Sequence, residues 1–244
     1  MAQNAAFFTS LNLFWFAVLP YVALFTFFGV TISRYRKHGY SYSSLSSQFL
    51  ENRVHFWGMV PFHYGIITLF FGHLIGFLIP SQVLIWNSNP LRLYILEITA
   101  FIAGLFTLIG MVNLFARRLT DSKTKSVTSP FDWIVLSILF LQVITGLYTA
   151  VFHSWGSSWF AASMTPYLWS LLTFTPDIAY VTPMPIMVKL HIIGNSLIVL
   201  LFPFTRLVHV LVVPNPYLWR KPQLVRWNWD RKTIRTPGFV IKRK

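Results

Sequence analysis

The feature that most constrains the fold of this chain is a series of five apolar runs, each long enough to cross a membrane. A transmembrane helix needs about 20 predominantly apolar residues. The runs occupy residues 11–32, 55–79, 91–115, 131–152 and 186–213. Only 11% of the 244 residues are charged, whereas soluble domains carry about 25%. The sequence therefore predicts an all-α integral membrane protein, built as a bundle of five transmembrane helices.

The distribution of basic residues predicts how these helices are oriented. Lys and Arg are concentrated in residues 33–53, 116–130 and 214–244, and they are absent from residues 1–10, 80–90 and 153–185. Cytoplasmic loops carry an excess of Lys and Arg, so the N-terminus is predicted outside and the C-terminus in the cytoplasm. The apolar region of a signal peptide follows positively charged residues, whereas no Lys or Arg precedes the first run. This run is therefore predicted to be retained. Residues 1–213 then form a five-span domain, and residues 214–244 form a basic cytoplasmic tail.

The charge and the absence of cysteine limit the possible chemistry. The chain has a net charge of +14 and no cysteine. Without thiolates it cannot ligate an iron–sulfur cluster, and a CxxCH haem attachment is excluded. In a membrane protein, basic residues set topology rather than indicate a nucleic-acid partner. The basic, aromatic tail is predicted to dock partner subunits, anionic lipid headgroups, or both.

Two further segments carry local predictions. Residues 153–185 are rich in Trp, Pro and Ser, and their apolar patch at 167–174 is too short to span a membrane. This patch is predicted to be an interfacial or re-entrant segment on the outer face. Pro203 lies inside the fifth run, where it predicts a kink.

Four of the seven histidines lie inside predicted spans, in a paired pattern. His63 and His73 are on the second span, and His191 and His209 are on the fifth. The predicted topology places His63 and His209 near the inner face, and His73 and His191 near the outer face. Buried imidazoles are costly without a partner. His38, His55 and His153, at loops or span edges, are interpreted as solvated or interfacial.

The pairing fits two bis-histidine b-type haems, one near each face. Facing helices commonly supply both ligands of a bundle cofactor. Residues eighteen apart return to the same face of an α-helix, and residues ten apart end roughly 80° from each other. The alternative is that the four histidines form interhelical hydrogen bonds.

Two cations and four glycines lie near these histidines. Arg206 is predicted to bind a haem propionate, because an intramembrane charge is by default a functional hypothesis. Lys189 either binds a propionate or snorkels to the interface. The glycines either let a planar macrocycle approach or pack helices together; they are Gly65, Gly72, Gly76 and Gly194.

Five segments resemble the γ subunit of the respiratory membrane-bound nitrate reductase, a five-span dihaem cytochrome b. They are "SLNLFWFAVLPYVA", "SSQF", "FHYGIITLFFGHLIGFLIP", "LHIIGNSLIVLLFPFTRLVHV" and "PYLWRKPQLVR". The resemblance implies that His63 and His209 hold the haem nearer the cytoplasm, and that His73 and His191 hold the outer one. It also implies a quinol site beside the outer haem. Arg92 lies near the position of a family lysine and is either a hydrogen-bond donor to quinol or an interface anchor, and Glu97 is a candidate proton acceptor.

The resemblance implies a quinol-oxidising, multi-pass subunit of an oxidoreductase complex in the cytoplasmic (inner) membrane. Quinol is oxidised near the outer face, and electrons pass through two haems to iron–sulfur and molybdenum subunits on the cytoplasmic side. Nitrate itself is reduced on a partner, and this chain has no site for the terminal acceptor. Two alternatives stay open. One is the cytochrome b of a related complex, of the nitrite oxidoreductase or sulfite/heterodisulfide type. The other is a metal-ion transporter with intramembrane histidines.

Overall fold

Five long helices dominate the computed structural model, which describes residues 10–37 and 53–212. They are α1 (Ser10–Lys37), α2 (Arg53–Leu78), α3 (Pro90–Thr120), α4 (Pro130–Phe152) and α5 (Ile186–Leu201). The described residues contain no strand, and five helical segments are long and apolar enough to cross a membrane. The predicted all-α, five-helix membrane fold is confirmed. The orientation of the termini stays a prediction.

Some predicted features lie outside this description. The chain divides into two units, residues 1–211 and 212–244, and the helices above belong to the first. The predicted basic tail, His38 and the side chain of His55 are outside the described residues.

Local capping signals explain where α3 and α4 begin. Asn89 is the N-cap of α3, and its side-chain oxygen accepts hydrogen bonds from the first turn. Ser129 and Asp132 form a reciprocal capping box at the start of α4. Pro90 and Pro130 follow as first helical residues, where a missing N–H costs nothing. Both helices consequently begin one residue before the predicted spans.

Helices α2 to α5 pack in sequence order, and α1 packs on α5. α2 lies along α3, α3 packs on α4, α4 on α5, and α5 on α1. A buried core between α3 and α4 is extended by α2 side chains; it contains Met111, Leu114, Val135, Leu136 and Leu139. Helices α2 and α5, which carry predicted histidine ligands, therefore lie on either side of α3 and α4.

The two ends of the bundle differ in character. At one end, here called the basic end, lie Arg117, Arg118 and Asp132. The other, here called the capped end, is covered by residues 153–185. These fold into short helices, including Gly156–Trp159 and Thr165–Leu172.

The helix Thr165–Leu172 is too short to span a membrane, but it is packed inside the protein. Tyr167 is only 1% exposed. Its hydroxyl donates to the Phe16 carbonyl of α1 at 2.7 Å, and the Thr165 hydroxyl donates to the Gly76 carbonyl of α2 at 3.0 Å. The segment thus joins α1 and α2, which lie at opposite ends of the packing order.

The fifth span differs from its sequence prediction. The sequence predicts a helix from 186 to 213 with a kink at Pro203, but α5 ends at Leu201. Pro203 lies in a 3-10 turn, Thr205 is extended, and a second 3-10 segment, Arg206–Val212, carries His209. Proline has no N–H to donate, and its ring clashes with the preceding helical turn. The ideal-helix relation between His191 and His209 therefore does not hold.

Helices α2 and α3 pack closely against each other at Gly65. A Cβ atom there would lie 2.5 Å from the Ala103 carbonyl oxygen, whereas a Cβ at Gly72 would meet nothing within 4 Å. We expect Gly65→Ala to lower the free energy of unfolding by about 1–3 kcal/mol, since the helices must separate. Thermal unfolding of the detergent-solubilised protein measures this. Gly72→Ala is the control for helix propensity, and equal midpoints for the two variants would contradict the prediction.

Candidate functional site

The rings of His63 and His209 lie close together near the basic end. Their centroids are 6.1 Å apart, with the ring planes inclined by 67°. An imidazole nitrogen binds a metal at about 2 Å, and the ring centre lies about 1 Å behind the nitrogen, so two imidazoles on opposite sides of one metal place their centres about 6 Å apart. The observed spacing fits one metal atom held between the two rings. We call His63 and His209 the basic-end pair.

His73 and His191 lie at the other end of the same two segments. His73 is in the last third of α2, and His191 is in the second turn of α5. The edge of the Phe160 ring packs against His73, with centroids 5.2 Å apart. We call His73 and His191 the capped-end pair.

All four histidines have Nδ1 bonded to a backbone carbonyl. His63 bonds Met59 and His73 bonds Leu69, each at 2.8 Å and one turn earlier in α2. Corresponding bonds join His209 to Arg206 at 2.7 Å and His191 to Gln142 at 3.1 Å. A carbonyl only accepts, so Nδ1 must carry the hydrogen.

This arrangement leaves Nε2 as the basic nitrogen of all four rings. Metal-bound histidines almost always donate their other N–H in this way, which fixes the tautomer and the ring orientation. The residues present therefore fit bis-histidine ligation. Within the described ranges, no three His, Asp or Glu residues gather into one metal site; each bis-histidine haem needs only a pair.

Helix α4 contributes contacts to His191 that sequence reasoning missed. The Thr145 hydroxyl lies 3.1 Å from Nδ1 of His191, and the Gln142 side chain donates to the His191 carbonyl at 3.0 Å. A Cβ at Gly146 would come within 3.0 Å of the ring carbon Cε1. A glutamine in the middle of an apolar span is the signal that would have pointed here.

Three of the four glycines singled out from the sequence lie against neighbouring segments of the chain. Gly65 faces Ala103 and Thr107 of α3, and Gly194 faces the Gln142 side chain. A Cβ at Gly76 would meet the Phe160 ring at 2.9 Å, which explains how that ring reaches His73. Gly72 is open.

Arg206 is engaged by a carboxylate that the sequence analysis did not single out. Its Nε lies 2.7 Å from Oδ1 of Asp132, whose side chain is only 5% exposed, and its NH2 donates to the Val127 carbonyl. Arg117 and Arg118 belong to the same electrostatic cluster. The capping-box pattern Ser129–Asp132 is the sequence signal for this aspartate. The other propionate candidate, Lys189, is half-buried near the start of α5.

Arg92 and Glu97, the predicted quinol residues, lie at the capped end. The guanidinium of Arg92 stacks over Trp86, 5.3 Å from the ring centroid. Glu97 Oε1 accepts hydrogen bonds from the backbone N–H and the hydroxyl of Ser157, at 2.9 and 2.6 Å. None of these contacts involves a histidine. Both residues nonetheless share this end of the bundle with the capped-end pair.

The chain matches known proteins along most of its length. The family model described as nitrate reductase gamma subunit matches residues 12–228. The respiratory nitrate reductase 2 gamma chain of Escherichia coli (strain K12) is 34% identical over 88% of this chain and 97% of its own length. The nitrate reductase gamma chain of Bacillus subtilis (strain 168) is 32% identical over 83% of this chain and 92% of its own.

A more distant similarity covers half of the chain. One component of the dihydromethanophenazine:CoB-CoM heterodisulfide reductase of Methanosarcina barkeri (strain Fusaro / DSM 804) is 26% identical over 52% of this chain and 42% of its own length. The full-length matches decide the family. This chain, a multi-pass protein of the inner membrane, belongs to the nitrate reductase gamma subunit family.

Proposed function

We propose that this chain binds two b-type haems and conducts electrons from quinol to the partner subunits of a nitrate reductase. The basic-end pair would ligate one haem and the capped-end pair the other. The observation that carries the proposal is the shared orientation of the four histidines. Each Nδ1 donates to a carbonyl, so that each Nε2 is available to iron.

The family supports the coarser part of this function directly. Its members are gamma chains of nitrate reductase, so this chain is a membrane electron-transfer subunit of an oxidoreductase complex. The haem number, the quinol reaction and the docking face are the finer parts of the proposal.

The haems and the histidines that hold them would have different roles in electron transfer. When bound, the haems supply one-electron redox centres at two depths of the membrane. The histidines would hold them at fixed orientation, because their rings are anchored at Nδ1 to backbone carbonyls, as His63 is to Met59 of α2 and His191 to Gln142 of α4. Helix-borne ligands are more rigid than ligands on loops.

The propionates of the two haems would be bound by cationic side chains at opposite ends of the bundle. Arg206 lies three residues before His209, and its charge is already held in place by Asp132. We propose that it contacts a propionate of the basic-end haem. Lys189, two residues before His191, would do the same at the capped end.

The quinol site is proposed at the capped end, near His73 and His191. Nε of Arg92 is buried there without a hydrogen-bond partner among the described residues, and a buried donor gains by binding an oxygen. Quinol hydroxyls are suitable acceptors. Glu97, about one and a half turns deeper, is the proposed proton acceptor, although its bonds to Ser157 also anchor the helix Gly156–Trp159.

The partners would dock at the basic end, which the positive-inside rule places in the cytoplasm. Iron–sulfur and molybdenum subunits then receive the electrons, and the basic tail supports their docking or binds lipid headgroups. The partial similarity to a heterodisulfide reductase component favours one second candidate, the cytochrome b of a related complex. The membrane chemistry of the two candidates is the same.

The proposal is tested on the complex purified with its partners. We expect two b-type haems per copy of this chain by pyridine haemochrome analysis, and a reduced-minus-oxidised spectrum that develops on adding a quinol. Nitrate must then reoxidise the reduced haems. A complex without haem would refute the proposal, and haems that nitrate leaves reduced would favour the second candidate.

A further inference from the structure

The four histidines are anchored in two different ways. His63, His73 and His209 bond carbonyls three or four residues earlier in their own segment. His191 instead bonds a neighbouring helix, through the Gln142 carbonyl and the Thr145 hydroxyl of α4, both at 3.1 Å. Among the described residues, the other acceptors of these four rings are backbone carbonyls, and Thr145 is the side-chain acceptor.

Neighbouring hydrogen bonds decide whether the Thr145 hydroxyl donates to the His191 ring or accepts from it. The Thr145 hydroxyl is placed to donate its hydrogen to the Leu141 carbonyl at 2.9 Å, inside α4. Nδ1 of His191 carries a hydrogen, since the Gln142 carbonyl beside it only accepts. The Thr145 oxygen therefore accepts from the His191 ring.

Other contacts hold the ring against Thr145. The Gln142 side chain donates to the His191 carbonyl, so α4 and α5 exchange hydrogen bonds in both directions at this level. The absence of a side chain at Gly146 lets the imidazole lie directly on α4.

We propose that Thr145 is a positioning residue that lowers the reduction potential of the capped-end haem. An acceptor on Nδ1–H makes a ligating imidazole more basic, and a more basic ligand stabilises ferric over ferrous iron. The inference rests on the proposed bis-histidine ligation. It adds that the two haems are tuned differently: among the described residues, the capped-end pair has a side-chain acceptor besides its backbone carbonyls, whereas the basic-end pair has backbone carbonyls.

The test is a redox titration of the purified complex carrying Thr145→Val, which has nearly the shape of threonine but offers no acceptor. We expect the midpoint potential of one haem to rise and that of the other to stay. The low-spin EPR signal of the shifted haem should also change, because it reports the orientation of its imidazoles. Thr145→Ser, which keeps the hydroxyl, should retain the original potential.

Two further variants keep the result interpretable. Thr99→Val removes an exposed hydroxyl that bonds only within α3, and neither potential should move. If the valine methyl group displaces the capped-end haem, Thr145→Ala removes the acceptor without added bulk and should give the same upward shift. Unchanged potentials in a two-haem Thr145→Val complex overturn this inference alone, as does an equal shift with Thr145→Ser. A wild-type complex without two haems overturns the proposed function instead.

Discussion

Replacing His209 with leucine is expected to reduce the haem content of the complex from two b-type haems per chain to one. Leucine has no ring nitrogen to bind iron, and a bis-histidine site that loses one ligand no longer holds its haem in place. Replacing His63 with leucine should give the same result, because the His63 ring lies 6.1 Å from that of His209. The measurement is pyridine haemochrome stoichiometry, with redox titration to identify the haem that remains.

The capped-end pair makes this prediction specific. His73→Leu and His191→Leu should each remove the other haem, so a redox titration should sort the four variants into two pairs. His153→Leu is the matched control, since His153 ends α4 and belongs to neither pair; it should keep both haems. Retention of both haems in all four variants would refute the ligand assignment. Loss of the same haem from His63→Leu and His73→Leu would refute the pairing.

Replacing Asp132 with asparagine is expected to destabilise the basic end by about 1–3 kcal/mol, the cost of leaving a buried polar group without its partner. Asp132 is almost fully buried, and its carboxylate bonds Arg206 Nε at 2.7 Å. Without its charge, the repulsion of Arg118 by Arg206 and Arg117 is no longer offset by Asp132. Asparagine has nearly the same shape but only one acceptor oxygen, so the loss combines the charge with one of the two hydrogen bonds that Asp132 accepts from Arg206 and Ser129. Thermal unfolding in detergent measures it.

The Asp132 variant should also affect one haem more than the other. The His209 ring is anchored on the Arg206 carbonyl, so movement of Arg206 disturbs the basic-end pair first. The control is Asp177→Asn, an exposed carboxylate that caps a short 3-10 helix at the capped end; its effect should be within about 1 kcal/mol. An unchanged unfolding midpoint for Asp132→Asn would show that the ion pair is not structurally important.

The helices were predictable because a bilayer imposes a simple rule on the sequence. Backbone groups cannot bond water in the hydrocarbon core, so each span must be a continuous apolar helix. Pro90 and Pro130, each preceded by a capping residue, fix where α3 and α4 begin. The exception is α5, which hydropathy extends to residue 213 but which ends at Leu201. Hydropathy does not distinguish an α-helix from an apolar 3-10 segment after a proline.

The two histidine pairs of the candidate site could be predicted from the depth of each histidine in the membrane. His63, His73, His191 and His209 stand out because imidazole is rare in apolar spans, and topology pairs them by level. The sequence could not show what holds each ring. The same is true of residues 153–185, where Tyr167 reads as part of an interfacial patch but is buried against α1.

The sequence by itself determined the membrane class, the number of spans and the histidines that can share a level, since these depend on hydropathy and on position along a helix. The tertiary structure decided which neighbour each of these side chains meets. His191 takes its acceptors from α4, forty-six and forty-nine positions away, and Arg206 meets Asp132 seventy-four positions away. Such contacts depend on which helices pack together and at what rotation, and no local pattern in the sequence specifies either.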